Sequence, residues 1–297
     1  MRYRLLGGSG LRVSGLCLGT MGFLSSSGWG TGREESRRVF EAFLEAGGNF
    51  VDTANTYGDG ESEEFLGEFI AGRRHQVVVG TKYGGRFLGS PGPPDPNASG
   101  SHRKSLERAV DGSLRRLGVD YIDVLWVQAW DFLTPVDELM RALDDLVRRG
   151  KVLHLGVSNA PAWVVAQANT RASLRGWTPF AALQAEYNLT ERDAERELLP
   201  MAAALDVSLL AWTPLASGWL TGKYEEEDGG APRRLDDPVM GRFVDRGERN
   251  RRIAAEVVAV ARERGCPPSQ VALNWLRSRG AIPVFGARTP EQVRENA

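Results

Sequence analysis

Cysteine and histidine are scarce in this chain of 297 residues, which contains two cysteines and three histidines. Cys17 and Cys266 lie far apart and form neither a metal-binding nor a redox spacing. We therefore expect two reduced thiols and no metal site. Reduced thiols are typical of an intracellular protein, and we predict a cytoplasmic location.

The chain also lacks an excess of charge and a long apolar run. Its formal net charge is −1, which gives no electrostatic footprint for nucleic acid or an anionic membrane. No uninterrupted apolar stretch approaches the roughly 18 residues of a transmembrane helix, and the N-terminus lacks the pattern of a signal peptide. These absences favour an enzyme with a small-molecule substrate, and no nucleic acid or membrane partner is expected.

Short apolar segments alternate with longer amphipathic ones along the chain. The short segments predict eight strands over Gly15–Leu18, Asn49–Asp52, Gln76–Lys82, Ile122–Val127, Val152–Ser158, Ala181–Ala185, Val207–Trp212 and Ile282–Phe285. The amphipathic segments predict helices over Glu34–Gly47, Glu61–Ala71, Ser101–Leu117, Pro135–Gly150, Ala160–Ser173, Glu191–Leu205 and Asn250–Arg264. This alternation indicates an α/β fold with a covered parallel sheet, and a single (β/α)₈ TIM barrel over residues 1–297 fits the count and the length.

Three further segments complete this organisation. The residues around Gly7–Gly10 predict an N-terminal β-hairpin that plugs the bottom of the barrel. Long loops over Gly84–Gly100 and Ser217–Arg249 follow the third and the seventh strand. Both loops therefore leave the C-terminal face of the barrel, where barrel enzymes place their active sites, and the second has the composition of a lid.

Asp52, Tyr57, Lys82 and Gln128 lie at the ends of predicted strands or in the loops that follow them. An ammonium beside a phenol stabilises the phenolate, so Lys82 makes Tyr57 a better acid, and Asp52 is expected to hold Lys82. The alternative is an ion pair at the barrel rim with an ordinary loop tyrosine. Their shared position on the C-terminal face favours the catalytic interpretation.

Other segments reach the same face of the predicted barrel. Ser158, Asn159 and Gln184 offer hydroxyl and amide groups able to hold a carboxamide, and Trp212 offers a flat surface for stacking. Each of these residues taken alone is also compatible with capping, a turn or core packing. The segments that follow the first and seventh strands add Gly19, Thr20, Met21, Thr213, Pro214, Leu215, Ala216, Ser217 and Gly218.

Five segments, in order, resemble the aldo-keto reductase superfamily, in particular its bacterial-type or potassium-channel β-subunit-like branch. They are Phe50–Gly58, Gly80–Lys82, Asp120–Asp123, Gly156–Asn159 and Gly286–Thr289. The resemblance covers nearly the whole chain. It implies a TIM barrel that reduces an aldehyde or ketone by direct hydride transfer from NADPH, with Tyr57 as the proton donor.

The same resemblance implies positions for the cofactor. It assigns Arg288 to the 2′-phosphate, which a planar guanidinium suits because it forms bidentate hydrogen bonds. It assigns Gln292, Glu295 and Asn296 to the phosphate and the adenine. The pyrophosphate would lie under the strand-seven loop, against Ser217, Gly218, Leu220 and Lys223. Gly286, Asp52 and the segments already named complete the expected NADPH/NADP⁺ site.

Gln128 departs from the family pattern, which has a histidine at this position. Glutamine can donate an N–H to a carbonyl oxygen, but it cannot titrate. We therefore consider three alternatives: reduced or specialised carbonyl reduction, a changed reaction such as C=C or imine reduction or a regulatory NADP(H)-binding role, and an engineered or specialised variant with near-normal activity.

Large aromatic residues in loops of the catalytic face predict an apolar pocket for a small carbonyl substrate. The candidates for substrate contact are Phe23, Trp29, Phe87 and Trp130. Packing of the loops themselves is the alternative for each residue.

Overall fold

Eight parallel strands close into a barrel in a computed structural model of the chain, which describes residues 1–25, 28, 30–85, 95–224, 235, 241 and 244–297. The barrel strands are β3 Cys17–Gly19, β4 Phe50–Asp52, β5 Val78–Tyr83, β6 Ile122–Val127, β7 Val152–Ser158, β8 Phe180–Glu186, β9 Ser208–Trp212 and β10 Ile282–Phe285. Each strand pairs in parallel with the next, and β10 pairs with both β9 and β3. The predicted (β/α)₈ fold is confirmed.

Helices pack around the outside of the barrel. They are α1 Gly32–Glu45, α2 Glu61–Ile70, α3 Arg103–Leu117, α4 Val136–Arg148, α5 Ala162–Arg175, α6 Leu198–Ala204, α7 Glu248–Arg264, α8 Pro268–Ser278 and α9 Pro290–Asn296. Short 3₁₀ turns cover Tyr57–Gly60, Arg74–Gln76, Asp193–Glu195 and Ala216–Thr221. No helix in the described part of the chain is long and apolar enough to cross a membrane.

Two helical predictions need correction, and prolines explain both. The segment predicted as one helix over Glu191–Leu205 is a 3₁₀ turn followed by the shorter α6. Pro200 cannot sit in a longer helix because its ring clashes with the carbonyl four residues earlier, but it fits in the first turn of α6. No helix was predicted at α8, because prolines such as Pro267 and Pro268 usually interrupt a helix. Proline is nevertheless favourable at the first helical position, where Pro268 lies.

The predicted N-terminal hairpin is also confirmed, as β1 Tyr3–Leu5 paired antiparallel with β2 Arg12–Ser14. Leu6 and Val13 are fully buried and pack in one cluster with side chains inside the barrel, such as Phe50 and Leu210. The hairpin therefore plugs the end of the barrel opposite the carboxyl ends of the strands.

The indole of Trp126 fills the barrel interior just below the carboxyl ends of the strands. Trp126 of β6 is fully buried, and its register partners are Lys82 on one side and Gly156 on the other. A Cβ at Gly156 would overlap the indole ring, and one at Gly80 would lie 2.7 Å from its Nε1. The two glycines therefore make the space that Trp126 occupies, directly beneath the strand ends.

Candidate active site

The carboxyl ends of the strands bring the four predicted catalytic residues to one face of the barrel. Asp52 is the last residue of β4, and Lys82 is the next-to-last residue of β5. Tyr57 follows β4 in a loop, and Gln128 directly follows β6. Because all the barrel strands are parallel, their carboxyl ends open onto the same surface.

The Lys82 ammonium is held by three hydrogen bonds. Its Nζ donates to the Asp52 carboxylate, to the Thr53 carbonyl oxygen at 3.0 Å and to the Tyr57 hydroxyl at 3.2 Å. Lys82 and Asp52 are buried, whereas Tyr57 is half-buried. An ammonium has three N–H donors, so each is used, and the tyrosine is the member of the group that a ligand can reach.

The electrostatics of this group keep Lys82 protonated. Burial alone lowers the pKa of Lys82, but the charge of Asp52 and contacts with Asp52 and Tyr57 outweigh burial, so the pKa of Lys82 is raised above its ordinary value. The second carboxylate oxygen of Asp52 accepts a hydrogen bond from Gln184 Nε2 at 3.2 Å. Gln184 therefore orients Asp52 from the opposite side of the barrel.

The loop that carries Tyr57 is fixed by its own backbone. The Thr53 N–H donates to the carbonyl of Gly80, and the Asn55 N–H donates to the carbonyl of Lys82. Gly58, Asp59 and Gly60 then have positive φ values of 58°, 52° and 102°. Glycine adopts such angles without steric cost, and this turn redirects the chain from the site into α2.

Gln128 lies beside the same loop. Thr56 Oγ1 lies 3.3 Å from Gln128 Nε2 and 3.4 Å from Gln128 Oε1. A Cβ at position 85 would lie 2.5 Å from Gln128 Oε1, so Gly85 leaves room for the amide. Thr56 was not among the residues predicted for the site. Its position beside Tyr57 gave no signal, because its partner is distant in the sequence.

Asn159 links the ends of three strands. Its Nδ2 donates to the Gln128 carbonyl at 3.1 Å, and its Oδ1 accepts from Trp212 Nε1 at 3.0 Å. Asn159 has a φ of 50° and an exposed side chain, and Trp212 is half-buried. Ser158 and Gln184 are buried beneath them.

The segment after β9 forms a tight series of turns. Thr213, Ala216, Ser217 and Gly218 all have positive φ values. Left-handed conformations in non-glycine residues cost on the order of 1–3 kcal/mol each and cluster at functional sites. Ser217 Oγ is buried with no hydrogen-bond partner among the described residues. A Cβ at Gly218 would lie 2.6 Å from Lys223 Nζ, so the glycine leaves a space that the lysine amine borders.

The C-terminal segment combines an exposed cation with a short helix. The Arg288 side chain is exposed, and its backbone N–H donates to Gln292 Oε1 at 2.7 Å. Asn296 Oδ1 is buried without a hydrogen-bond partner in the described part of the chain. Glu295 is engaged elsewhere, because its Oε1 accepts a hydrogen bond from Ser269.

The family follows from comparison with known proteins. The Aldo/keto reductase family model matches residues 15–297. The chain belongs to the aldo/keto reductase family.

Similar proteins from fungi support this assignment. An aryl-alcohol dehydrogenase of Pestalotiopsis microspora is 39% identical over 99% of this chain and 77% of its own length. A norsolorinic acid reductase of Emericella nidulans is 40% identical over 97% of this chain and 74% of its own length. An aryl-alcohol dehydrogenase [NADP(+)] of Phanerodontia chrysosporium is 38% identical over 99% of this chain and 80% of its own length. This aldo/keto reductase is therefore an oxidoreductase of carbonyl or alcohol groups.

Of the four residues predicted to contact a substrate, two are buried in the core and two lie outside the described residues. Phe23 is buried in the core against Phe69, with ring centroids 6.1 Å apart, so its side chain offers no surface to a ligand. Trp130 is 9% exposed and packs mainly in the core. Trp29 and Phe87 lie outside the described residues.

The segment at the carboxyl end of β3 packs beside Asp52, whose carbonyl accepts a hydrogen bond from the Thr20 N–H at 2.9 Å. Thr20 is fully buried, and its hydroxyl lies 2.8 Å from Ser62 Oγ. Gly19 and Met21 are half-buried on either side of it. After β9, Pro214 and Leu220 are buried and Leu215 is half-buried.

Proposed function

We propose that this aldo/keto reductase reduces an aldehyde or ketone to an alcohol with NADPH, and that Tyr57 donates the proton. The observation that carries the proposal is the half-buried Tyr57 hydroxyl, 3.2 Å from the buried Lys82 ammonium. A cation held against a phenol stabilises the charge that remains after proton transfer. Asp52 holds the cation in place, and Gln184 donates a hydrogen bond to Asp52.

The residues around the proposed cofactor site fit NADPH. A buried Ser217 hydroxyl without a partner among the described residues, beside the Gly218 space and Lys223, suits the pyrophosphate. The exposed guanidinium of Arg288 suits the 2′-phosphate, and the Asn296 amide suits the adenine. A relative is named as an NADP(+) enzyme. When bound, NADPH supplies a hydride.

The protein residues supply orientation and the proton. As the carbonyl carbon gains the hydride, its oxygen gains negative charge and takes the proton from Tyr57. The resulting phenolate lies next to the Lys82 ammonium, which stabilises it. Trp212 and Asn159 border the space above the strand ends, where the nicotinamide would lie with its carboxamide toward Asn159.

Gln128 gives this site a neutral partner for the carbonyl. Its amide can donate one N–H to the substrate oxygen while Thr56 accepts the other. Unlike histidine, glutamine does not titrate near neutral pH and therefore cannot act as a general acid. The proposed reaction therefore depends on Tyr57 alone for the proton.

Aromatic aldehydes are the first substrates to test, because relatives are named for aryl alcohols. The experiment titrates the protein with NADPH by fluorescence and then follows NADPH oxidation after adding an activated aromatic aldehyde. Binding with turnover supports the reductase. The absence of both binding and turnover contradicts the proposal.

Gln128 also favours a second candidate, a protein that binds NADP(H) with little carbonyl turnover, or that reduces a C=C or imine bond instead. Tight NADPH binding without aldehyde-dependent oxidation would support this candidate. Repeating the assay with an activated enone and a cyclic imine separates a changed reaction from a regulatory role.

A further inference from the structure

A fully buried carboxylate lies outside the barrel and has no part in the proposed reaction. Glu63, in the first turn of α2, has no exposed surface. Its Oε1 accepts a hydrogen bond from Thr81 Oγ1 at 2.6 Å, and its Oε2 accepts one from Arg116 Nε at 2.7 Å. We call these three residues the Glu63 cluster. They join α2 to β5 and α3.

The protein is shaped around this cluster. A Cβ at Gly60 would lie 2.5 Å from Arg116 Cδ, and a Cβ at Gly112 would lie 3.0 Å from Arg116 Nη1. Both glycines therefore leave room for the Arg116 side chain. Burial of a charge is costly unless it is paired, and each carboxylate oxygen of Glu63 has a hydrogen-bond partner, Thr81 for one and Arg116 for the other.

The cluster lies directly behind the catalytic lysine. Successive side chains of a strand point to opposite faces, so Thr81 faces outward to Glu63 while Lys82 faces inward to Asp52 and Tyr57. Tyr57 begins a short turn that bends at Gly58 and Asp59, and α2 begins at Glu61, directly after this turn. Backbone hydrogen bonds of Thr53 and Asn55 to β5 fix the start of the loop that carries Tyr57, and the contact between Glu63 and Thr81 fixes its other end against the same strand.

A second contact fixes the same turn of α2. Ser62 Oγ donates to the Thr20 carbonyl at 2.9 Å and lies 3.0 Å from Thr53 Oγ1. Ser62 thus ties α2 to the ends of β3 and β4, and Glu63 ties it to β5. The first turn of α2 is held against three consecutive strands.

We propose that Glu63 is a positioning residue, which locks α2 against β5 and thereby fixes the 3.2 Å contact between Tyr57 and Lys82. The kinetic consequence rests on the proposed carbonyl reduction. The geometric consequence is independent of it, because the distance between the two side chains can be measured without turnover.

The test compares two substitutions at Thr81. Thr81→Val keeps the shape but removes the hydroxyl that Glu63 accepts, whereas Thr81→Ser keeps the hydroxyl. We expect Thr81→Val to lengthen the distance from Tyr57 to Lys82 beyond about 3.5 Å in a crystal structure. We expect single-turnover hydride transfer to slow by about 10- to 100-fold, with unchanged NADPH affinity. Thr81→Ser should remain close to the original protein in both measurements.

A matched control lies at the other end of the barrel. Thr178 Oγ1 donates to the buried Asp144 carboxylate at 3.0 Å, and Arg148 pairs with that carboxylate. Thr178→Val removes the same kind of contact, and we expect a lower Tm without a change in hydride transfer.

Two outcomes would overturn the inference: an unchanged distance from Tyr57 to Lys82 in Thr81→Val, or a slowed reaction in Thr178→Val equal to that in Thr81→Val. If the unsubstituted protein binds NADPH but transfers no hydride to a carbonyl, the proposed function fails. The crystallographic distance then decides the role of Glu63.

Discussion

At the scale of single residues, a substitution of Tyr57 tests the proposed proton transfer separately from NADPH binding. The Tyr57 hydroxyl accepts a hydrogen bond from Lys82, and Tyr57→Phe removes this hydroxyl, the proposed acid, while it keeps the aromatic ring. We expect carbonyl reduction to fall by at least about 10²-fold, while the NADPH dissociation constant stays within about twofold, a change worth less than 1 kcal/mol.

The control is Tyr121→Phe. Tyr121 precedes β6 and stacks against Arg74 at the opposite end of the barrel, so its substitution should leave the rate unchanged. Steady-state kinetics and a fluorescence titration provide both measurements. Carbonyl reduction that survives in Tyr57→Phe would show that another group is the acid.

A substitution of Gln128 tests whether a histidine at this position would increase the rate of carbonyl reduction. Gln128→His introduces a group that can donate a hydrogen bond to the carbonyl and also titrate near neutral pH. We expect carbonyl reduction to increase severalfold or more and to become dependent on pH between about 5 and 8. The measurement is a pH profile of kcat/KM for both proteins.

Gln128→Leu is the matched control, since it fills the site without a polar group and should be slower than the original protein. An unchanged or lower rate in Gln128→His would mean that Gln128 is adapted to its own substrate. The amide geometry set by Thr56 and Gly85 would then be the reason.

At the scale of elements, a polar cluster joins the end of β8 to the outer helices. Glu195 Oε1 accepts hydrogen bonds from Tyr187 at 2.7 Å and from Arg192 at 2.9 Å, and it pairs with Arg279 at 3.3 Å. The hydrogen bond from Arg192 is the main cause that lowers the pKa of Glu195 to about 2 from an ordinary value of 4.5.

The sign of the resulting pH dependence is fixed, because the folded pKa lies below the unfolded one. The contribution of Glu195 to stability is fully present above pH 4.5 and is lost as the pH falls toward about 2. We expect Glu195→Gln to have a lower Tm at pH 7, and the difference from the original protein to shrink as the pH falls from 4.5 to about 2. Glu197→Gln, at an exposed neighbouring position, should show neither effect. A Tm difference that is the same at every pH would contradict this account.

The elements that the sequence predicted well are those with a clear local pattern. Strand β6, for example, is an apolar run with the same bounds, Ile122–Val127, in prediction and structure. Helix α8 was missed because the signal at Pro268 also marks the end of a helix. The Glu63 cluster was missed for a different reason: its carboxylate and guanidinium are 53 residues apart, and no sequence period connects them.

The candidate site was also predictable only in part from the sequence. Asp52, Tyr57 and Lys82 were predictable because parallel strands bring their ends to one face. Phe23 lies in a loop on that face, but its side chain turns into the core. The direction of a loop side chain depends on tertiary packing, which a single sequence does not reveal.

At the scale of the whole molecule, the barrel separates stability at one end from chemistry at the other. The hairpin closes the end far from Tyr57, where Leu6 is fully buried and its neighbour Leu5 is 49% exposed. Leu6→Ala would leave a cavity among the interior side chains, and we expect it to lower the free energy of unfolding by about 2–5 kcal/mol.

Leu5→Ala is a matched control with the same change one residue away, and we expect it to cost less than about 1 kcal/mol, because half of its surface is already in water. Denaturant titrations give both values. Both variants should keep the original rate of carbonyl reduction, since neither residue touches the strand ends. If Leu6→Ala instead slows hydride transfer at temperatures where the protein is fully folded, the hairpin plug and the site are coupled through the barrel interior. Trp126, which packs in the same cluster and spans from the plug toward Lys82, would be the first residue to examine.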